Sequence, residues 1–175
     1  MTFSRTRAPL SDVWHICFDV GGTIDLRSPT ATDDEGLYPI DPDAVTAMHR
    51  LTQLGRSLSV ASNTEADRPR DKPLAAAGVT PLLMGVLQSH QLGIKKPDPR
   101  FFAKIITTFG YLPQHICYVG NRLDKDVLPA LQARMRAVLV APAGVAPATL
   151  PPDVPVIRHV RHLPDLFLPP QVRTS

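Results

Sequence analysis

Apolar and polar positions along the chain alternate between two periods. The run Val13-Trp14-His15-Ile16-Cys17-Phe18 is rich in β-formers and stops at Asp19 and Gly21-Gly22. It predicts a strand with Asp19 at its carboxyl end. Residues 25–40 show no periodicity and read as a loop. Asp41-Pro42 then opens a helix, with Asp41 as N-cap and Pro42 at the first helical position. Its apolar face carries Val45, Met48, Leu51 and Leu54, and Gly55 closes it. Ser57–Ser62 predicts a short strand ending at Ser62-Asn63. Residues 64–77 read as a helix interrupted by Pro69 and Pro73, and residues 82–87 as a further short strand.

Asp98-Pro99 repeats the helix start and leads through Phe101, Phe102, Ile105 and Ile106 to Gly110. Residues 115–119 form a strand ending at Gly120-Asn121. A helix over 124–134, a strand over 137–140, a Pro/Ala linker over 141–153, a last strand over 154–160 and a short helix near 163–168 complete the pattern. Strand–helix alternation of this kind implies an α/β domain with a mostly parallel sheet and helices on both faces. The polar strand ends Asp19, Ser62-Asn63 and Asn121, with Lys96 in the loop before a helix, then share one edge of the sheet, where such folds bind ligands. A carboxylate, a hydroxyl, a lysine and acidic residues able to hold a divalent cation are the parts of phosphoryl transfer.

Length and composition narrow this picture without redirecting it. A chain of 175 residues fits one domain with a substantial core. We place the core at 13–168, between a tail over 1–12 and another over 169–175. A net charge of +3, scattered without aromatic interleaving, gives no expectation of a nucleic-acid partner. Cys17 and Cys117 fall inside predicted strands and read as small apolar core residues, which suits a cytoplasmic, reducing compartment. Residues 1–12 lack the apolar segment of a secretory signal, and no run approaches the ~20 apolar residues of a membrane span.

FDVGGT, VASN, GIKKPDPRFF and YVGNRLDKDV occur in that order. Together they resemble the four motifs of the haloacid dehalogenase-like (HAD) superfamily over nearly the whole chain. KPDP followed by VGN, four residues and DV is the most specific pair. A phosphate loop reading DxGGT also occurs in the sugar-kinase and actin-like ATPase group. That fold uses two related domains of ~150 residues each, and nothing here resembles its second phosphate motif.

The resemblance implies a HAD-type Rossmannoid three-layer fold and a phosphohydrolase that cleaves a phosphomonoester through a phosphoaspartate at Asp19 with Mg²⁺. It makes Asp19 the nucleophile and a metal ligand. Gly22 and Thr23 support the motif I turn and the phosphate. Ser62 binds phosphoryl oxygens, Asn63 shapes that loop, and Lys96 holds both the Asp19 carboxylate and the phosphate. Lys95 reads as a solvated charge. The backbone carbonyl of Gly21, Asn121 and Asp126 complete the metal site, with Asp126 acting directly or through water.

Two positions depart from the family pattern. Gly21 stands where HAD phosphatases usually carry a second Asp, the general acid/base that serves the leaving oxygen. Such proton transfer is worth ~10²–10⁴ in rate, so the departure leaves three readings. One is a phosphatase with a substitute acid, such as Asp25 or water, or with a leaving group that needs little protonation. Another is a dehalogenase-like chemistry, although those enzymes carry a helical cap. The third is a catalytically impaired domain that binds a phosphorylated ligand or a protein partner without turnover. Asn121 replaces a usual Asp and removes one negative charge from the metal site, so weaker Mg²⁺ affinity is expected.

Residues 25–40 are too few for a helical cap, and 63–96 are filled by ordinary core elements. A capless, open site suits a phosphorylated small molecule, a larger phosphoester, or closure by a neighbouring subunit of a homo-oligomer. Asp33, Asp34 and Glu35 read as a solvated flap, and Tyr38, His90 and Arg122 as rim or surface residues.

Overall fold

The computed structural model describes residues 10–27, 32, 36–143 and 147–168. Asp33, Asp34, Glu35, residues 1–9, the centre of the Pro/Ala linker and the C-terminal tail lie outside them. Six parallel strands form one sheet in the order β3-β2-β1-β4-β5-β6. They are β1 (His15–Phe18), β2 (Ser57–Ser62), β3 (Leu83–Gln88), β4 (Ile116–Gly120), β5 (Arg136–Val140) and β6 (Val156–Ile157). Between them run α1 (Pro42–Gln53), α2 (Asp71–Ala76), α3 (Ser89–Leu92), α4 (Pro99–Phe109) and α5 (Leu128–Gln132).

The central strands are buried on both faces, as a parallel sheet between helical layers requires. One core packs α1 and the C-terminal turn against the sheet through Met48, Leu51, Ile16, Phe18 and Leu163. The other packs α4 and α5 through Phe101, Phe102, Ile105, Tyr118 and Val127. The predicted caps form: Asp41 accepts from Asp43 N at 2.8 Å, and Asp98 accepts from Arg100 N at 2.9 Å. Cys17 and Cys117 are free and buried. No described helix is long and apolar enough to cross a membrane, and no separate cap stands over the sheet edge among the described residues.

Five elements differ from the sequence reading. β1 begins at His15, although Trp14 continues the ladder by accepting from Ser57 N and donating to His115 O. In 64–77 only Asp71–Ala76 is helical, with Pro73 in the first turn, where its missing N–H costs nothing. The expected helix over 124–134 starts as a π-turn, Leu123–Val127, before α5. The last strand shrinks to Val156–Ile157, and the final helix is a 3₁₀ helix over Val160–Phe167 with Pro164 inside it.

The loop after β1 is pinned back on itself. Asp25 and Ile40 form an antiparallel bridge, Leu26 N donates to Pro39 O, and Asp41 N donates to Ile24 O. This returns the chain to α1 without any inserted domain.

Candidate active site

Register brings the polar strand ends together. Phe18 pairs with Val60 on one side and Val119 on the other, and Asp19 N donates to Val119 O at 2.9 Å. Asp19, Ser62 and Asn121 therefore leave the same sheet edge from three adjacent strands. Asp19, Ser62, Lys96 and Asp126 are all buried. They line a cavity of about 250 Å³ with Gly21, Asn63, Asn121 and four further cations, Arg27, Arg70, Arg122 and Lys125.

Lys96 reaches this cavity from the loop between α3 and α4. Gly93, at φ 67°, ends α3 in the left-handed conformation. Asn63 then grips the Lys96 backbone from both sides: its Nδ2 donates to Lys96 O at 3.0 Å, and its Oδ1 accepts from Lys96 N at 2.8 Å. The ammonium spends its three protons on Asp19 Oδ1 (2.9 Å), Asp126 Oδ1 (2.6 Å) and the Tyr118 hydroxyl (2.8 Å). Burial alone would lower the Lys96 pKa, but the two carboxylates outweigh it and raise it. With all three donors engaged, Lys96 offers a phosphate its charge rather than a hydrogen bond. Lys95 beside it is exposed.

Ser62 Oγ donates to Asp19 Oδ1 at 3.0 Å, the same oxygen that Lys96 holds. Asp126 is almost fully buried, with Oδ1 on Lys96 and Oδ2 accepting from Arg122 N at 2.9 Å. Burial raises its pKa against the pull of Lys96. Gly120 makes room for it, since a Cβ there would lie 2.5 Å from the Cβ, Cγ and Oδ2 of Asp126.

Gly22 and Thr23 face a second, larger cavity of about 570 Å³ that abuts the first at Arg27 and Asn121. Gly22 has φ 73°, and a Cβ on it would run into the Asn121 amide, so both backbone shape and close approach call for glycine. Its N–H donates to Asp25 Oδ1 at 2.6 Å. Asp25 is buried beneath the turn and lines the second cavity, not the first; burial raises its pKa, opposed by Gly22 N–H and Arg27. His90 bonds Thr64 Oγ1 at 2.7 Å, beside a separate small pocket.

Four residues that carry oxygen donors of the kind a hard cation takes line the first cavity: Asp19, Gly21, Asn121 and Asp126. A different trio, Asp41, Asp43 and His159, also clusters among the described residues. Its geometry has a local explanation, because Asp41 caps α1 and bonds His159 at 3.0 Å while Asp43 pairs with Arg161 at 3.1 Å.

Three lining residues, Arg27, Arg70 and Lys125, escaped the sequence reading, and so did Tyr118, which meets the site through Lys96. Tyr118 sits inside a strand whose HICYV pattern looks wholly structural, yet its hydroxyl accepts from Lys96 and donates to Ala61 O at 2.6 Å. Arg27 lies in the loop read over 25–40 and Arg70 in the stretch read as an interrupted helix, and no local pattern sets either apart from other surface cations.

Comparison with known proteins agrees with this architecture. A family model for haloacid dehalogenase-like hydrolases matches residues 30–134, a span that begins after Asp19. A phosphoserine phosphatase of Thermus thermophilus is 37% identical over 103 residues, covering 59% of this chain and 41% of that protein. A glyceraldehyde 3-phosphate phosphatase of Methanopyrus kandleri is 30% identical over 99 residues, covering 57% of this chain and 42% of its own. The chain thus spans well under half the length of these curated relatives in the aligned region. Among solved structures, an uncharacterized protein from Listeria monocytogenes serotype 4b superposes with a TM-score of 0.73 at 20% identity over 87% of this chain and 96% of that one. A D,D-heptose 1,7-bisphosphate phosphatase from B. bronchiseptica, complexed with magnesium and phosphate, gives a TM-score of 0.68 at 18% identity, covering 86% and 96%.

Proposed function

The chain belongs to the haloacid dehalogenase-like hydrolases, and we propose that within this family it is a Mg²⁺-dependent phosphatase that works through a phosphoaspartate at Asp19. The observation that carries this reading is the hydrogen bonding of Asp19. Ser62 and Lys96 both bond Oδ1, which fixes the carboxylate and leaves Oδ2 to attack. Phosphatase relatives support the reaction class.

A substrate phosphate enters the cavity beside Asp19, Ser62, Arg27 and Arg70. Oδ2 of Asp19 attacks phosphorus, the bond to the leaving oxygen breaks, and the aspartyl phosphate forms. Water then attacks that phosphorus, and the electron pair of the breaking bond returns to Asp19 as inorganic phosphate leaves. Lys96 holds the carboxylate in line through both steps and offsets its charge. Asp19, the Gly21 carbonyl, Asn121 and Asp126 would hold Mg²⁺, which when bound neutralises charge on the phosphoryl oxygens.

Hydrolysis of p-nitrophenyl phosphate by the purified protein tests this, because its leaving group needs little protonation. The expected result is Mg²⁺-dependent turnover that Asp19→Asn abolishes. Ligand-induced thermal stabilisation by phosphate esters with no turnover would instead identify a binding domain.

A further inference from the structure

The cavity holds more positive charge than its own carboxylates absorb. Asp19 and Asp126 face Arg27, Arg70, Lys96, Arg122 and Lys125. Lys96 is committed to both carboxylates, and Arg122 pairs with Asp124 at the surface, 3.1 Å away. Arg70 is placed differently. Its Nε is buried with no hydrogen-bond partner, an unsatisfied donor that calls for an explanation. Burial pulls its pKa down; Asp25 and Asp19 oppose this, while Arg27 adds repulsion. Both guanidinium-bearing residues line the small cavity that holds Asp19.

Arg27 also occupies a telling position. A Cβ on Gly21 would lie 2.6 Å from Arg27 Nη2. The guanidinium therefore fills the space in which a side chain at position 21 would begin, and that is the place from which an acid would serve the leaving oxygen. Its hold on Asp25 is long, at 3.4 Å, and more than half of its side chain is exposed.

We infer that Arg27, backed by Arg70, receives the leaving group, and that the substrate is an acyl phosphate. This rests on Asp19 being the nucleophile. A guanidinium keeps its protons and so cannot protonate a departing alkoxide, but its fork matches the two oxygens of a carboxylate. A carboxylate leaves without needing a proton. In the step, an Asp19 oxygen bonds phosphorus, the phosphorus–oxygen bond to the acyl group breaks, and its electron pair stays on the carboxylate held by Arg27. Water later attacks the aspartyl phosphate, its proton passes to solvent, and inorganic phosphate is released. The acyl body has somewhere to go: the adjoining 570 Å³ cavity meets the first at Arg27 and Asn121 and offers Leu26, Leu123, Leu139 and Ala141.

The test compares benzoyl phosphate, glycerol phosphate and inorganic pyrophosphate, with benzoate as inhibitor of p-nitrophenyl phosphate hydrolysis. Wild type is expected to favour benzoyl phosphate over the other two and to be inhibited competitively by benzoate. R27A and R27K, checked for an unchanged melting temperature, are expected to lose benzoate inhibition by tenfold or more. G21D alone should gain little on glycerol phosphate, because Arg27 holds the new carboxyl ionised. G21D/R27A should raise glycerol phosphate turnover by ~10². Benzoate inhibition unchanged in R27A, with Asp19→Asn inactive, overturns this inference and leaves the phosphatase standing. Arg27-dependent preference for pyrophosphate overturns it in favour of a phosphoanhydride. Wild-type rates in Asp19→Asn would remove the nucleophile and this inference with it.

Discussion

Asn63 grips Lys96 by its backbone alone, donating to the carbonyl at 3.0 Å and accepting from the N–H at 2.8 Å. The side chain that touches both carboxylates is therefore aimed by a neighbour that never contacts it. Asn63→Ala removes that grip without changing any charge. The expected loss in kcat/KM on p-nitrophenyl phosphate is up to ~10², the scale on which small misplacements act, with KM changing less than kcat. Steady-state kinetics on the folded variant check this.

Tyr118 supplies the third partner of the buried ammonium. Tyr118→Phe leaves one Lys96 N–H and the Ala61 carbonyl without their bonds. An unsatisfied buried group costs about 1–3 kcal/mol, so the urea midpoint is expected to fall by that equivalent while the slope stays constant. Equilibrium denaturation followed by fluorescence measures it.

Gly120 has no tolerance for a methyl group. A Cβ would strike three atoms of Asp126 at 2.5 Å, and that short side chain is fixed at both oxygens. Gly120→Ala is expected to weaken Mg²⁺ binding tenfold or more in titration calorimetry and to cost about 1–3 kcal/mol of stability from overpacking.

His15 gives the fold a dependence on acid that is remote from the site. It is fully buried in β1, bonded to Ser57 Oγ at 2.9 Å and Ser59 Oγ at 2.7 Å, and stacked between Phe109 and Tyr111. Burial lowers its pKa from 6.5 to about 4. The unfolded chain therefore binds this proton more readily than the folded one, and stability rises with pH across that interval. Acidification from pH 7 toward 4 should remove about 3 kcal/mol from this group. Melting temperatures should fall across that range, and His15→Gln should flatten the trend between pH 6 and pH 4.5.

Much of this fold is legible from residue order. Apolar runs that stop at Asp19, Ser62 and Asn121 mark strand ends, and Asp41-Pro42 and Asp98-Pro99 mark helix starts, because capping and strand punctuation are local chemistry. Lys96 sits in a loop, and only the likeness of KPDP to a known motif singles it out from Lys95. Tyr118, Arg27 and Arg70 are not legible at all. Their roles depend on which strands become neighbours and on how the loop after β1 folds back, and neither is written in a local pattern. Gly21 shows the same limit: its sequence reports a missing carboxyl, and only the three-dimensional arrangement reveals the arginine in its place.

The bonds that assemble the cavity span long stretches of chain: 43 residues from Asp19 to Ser62, 77 from Asp19 to Lys96 and 30 from Lys96 to Asp126. Such contacts close large loops and form after local structure. The cavity therefore cannot mature piecemeal. A nascent chain that has not yet released β4 and the turn after it has Asp19 and Lys96 but lacks both Tyr118 and Asp126, so the buried ammonium is without two of its three partners until that turn emerges, while β5 and β6 are still to come.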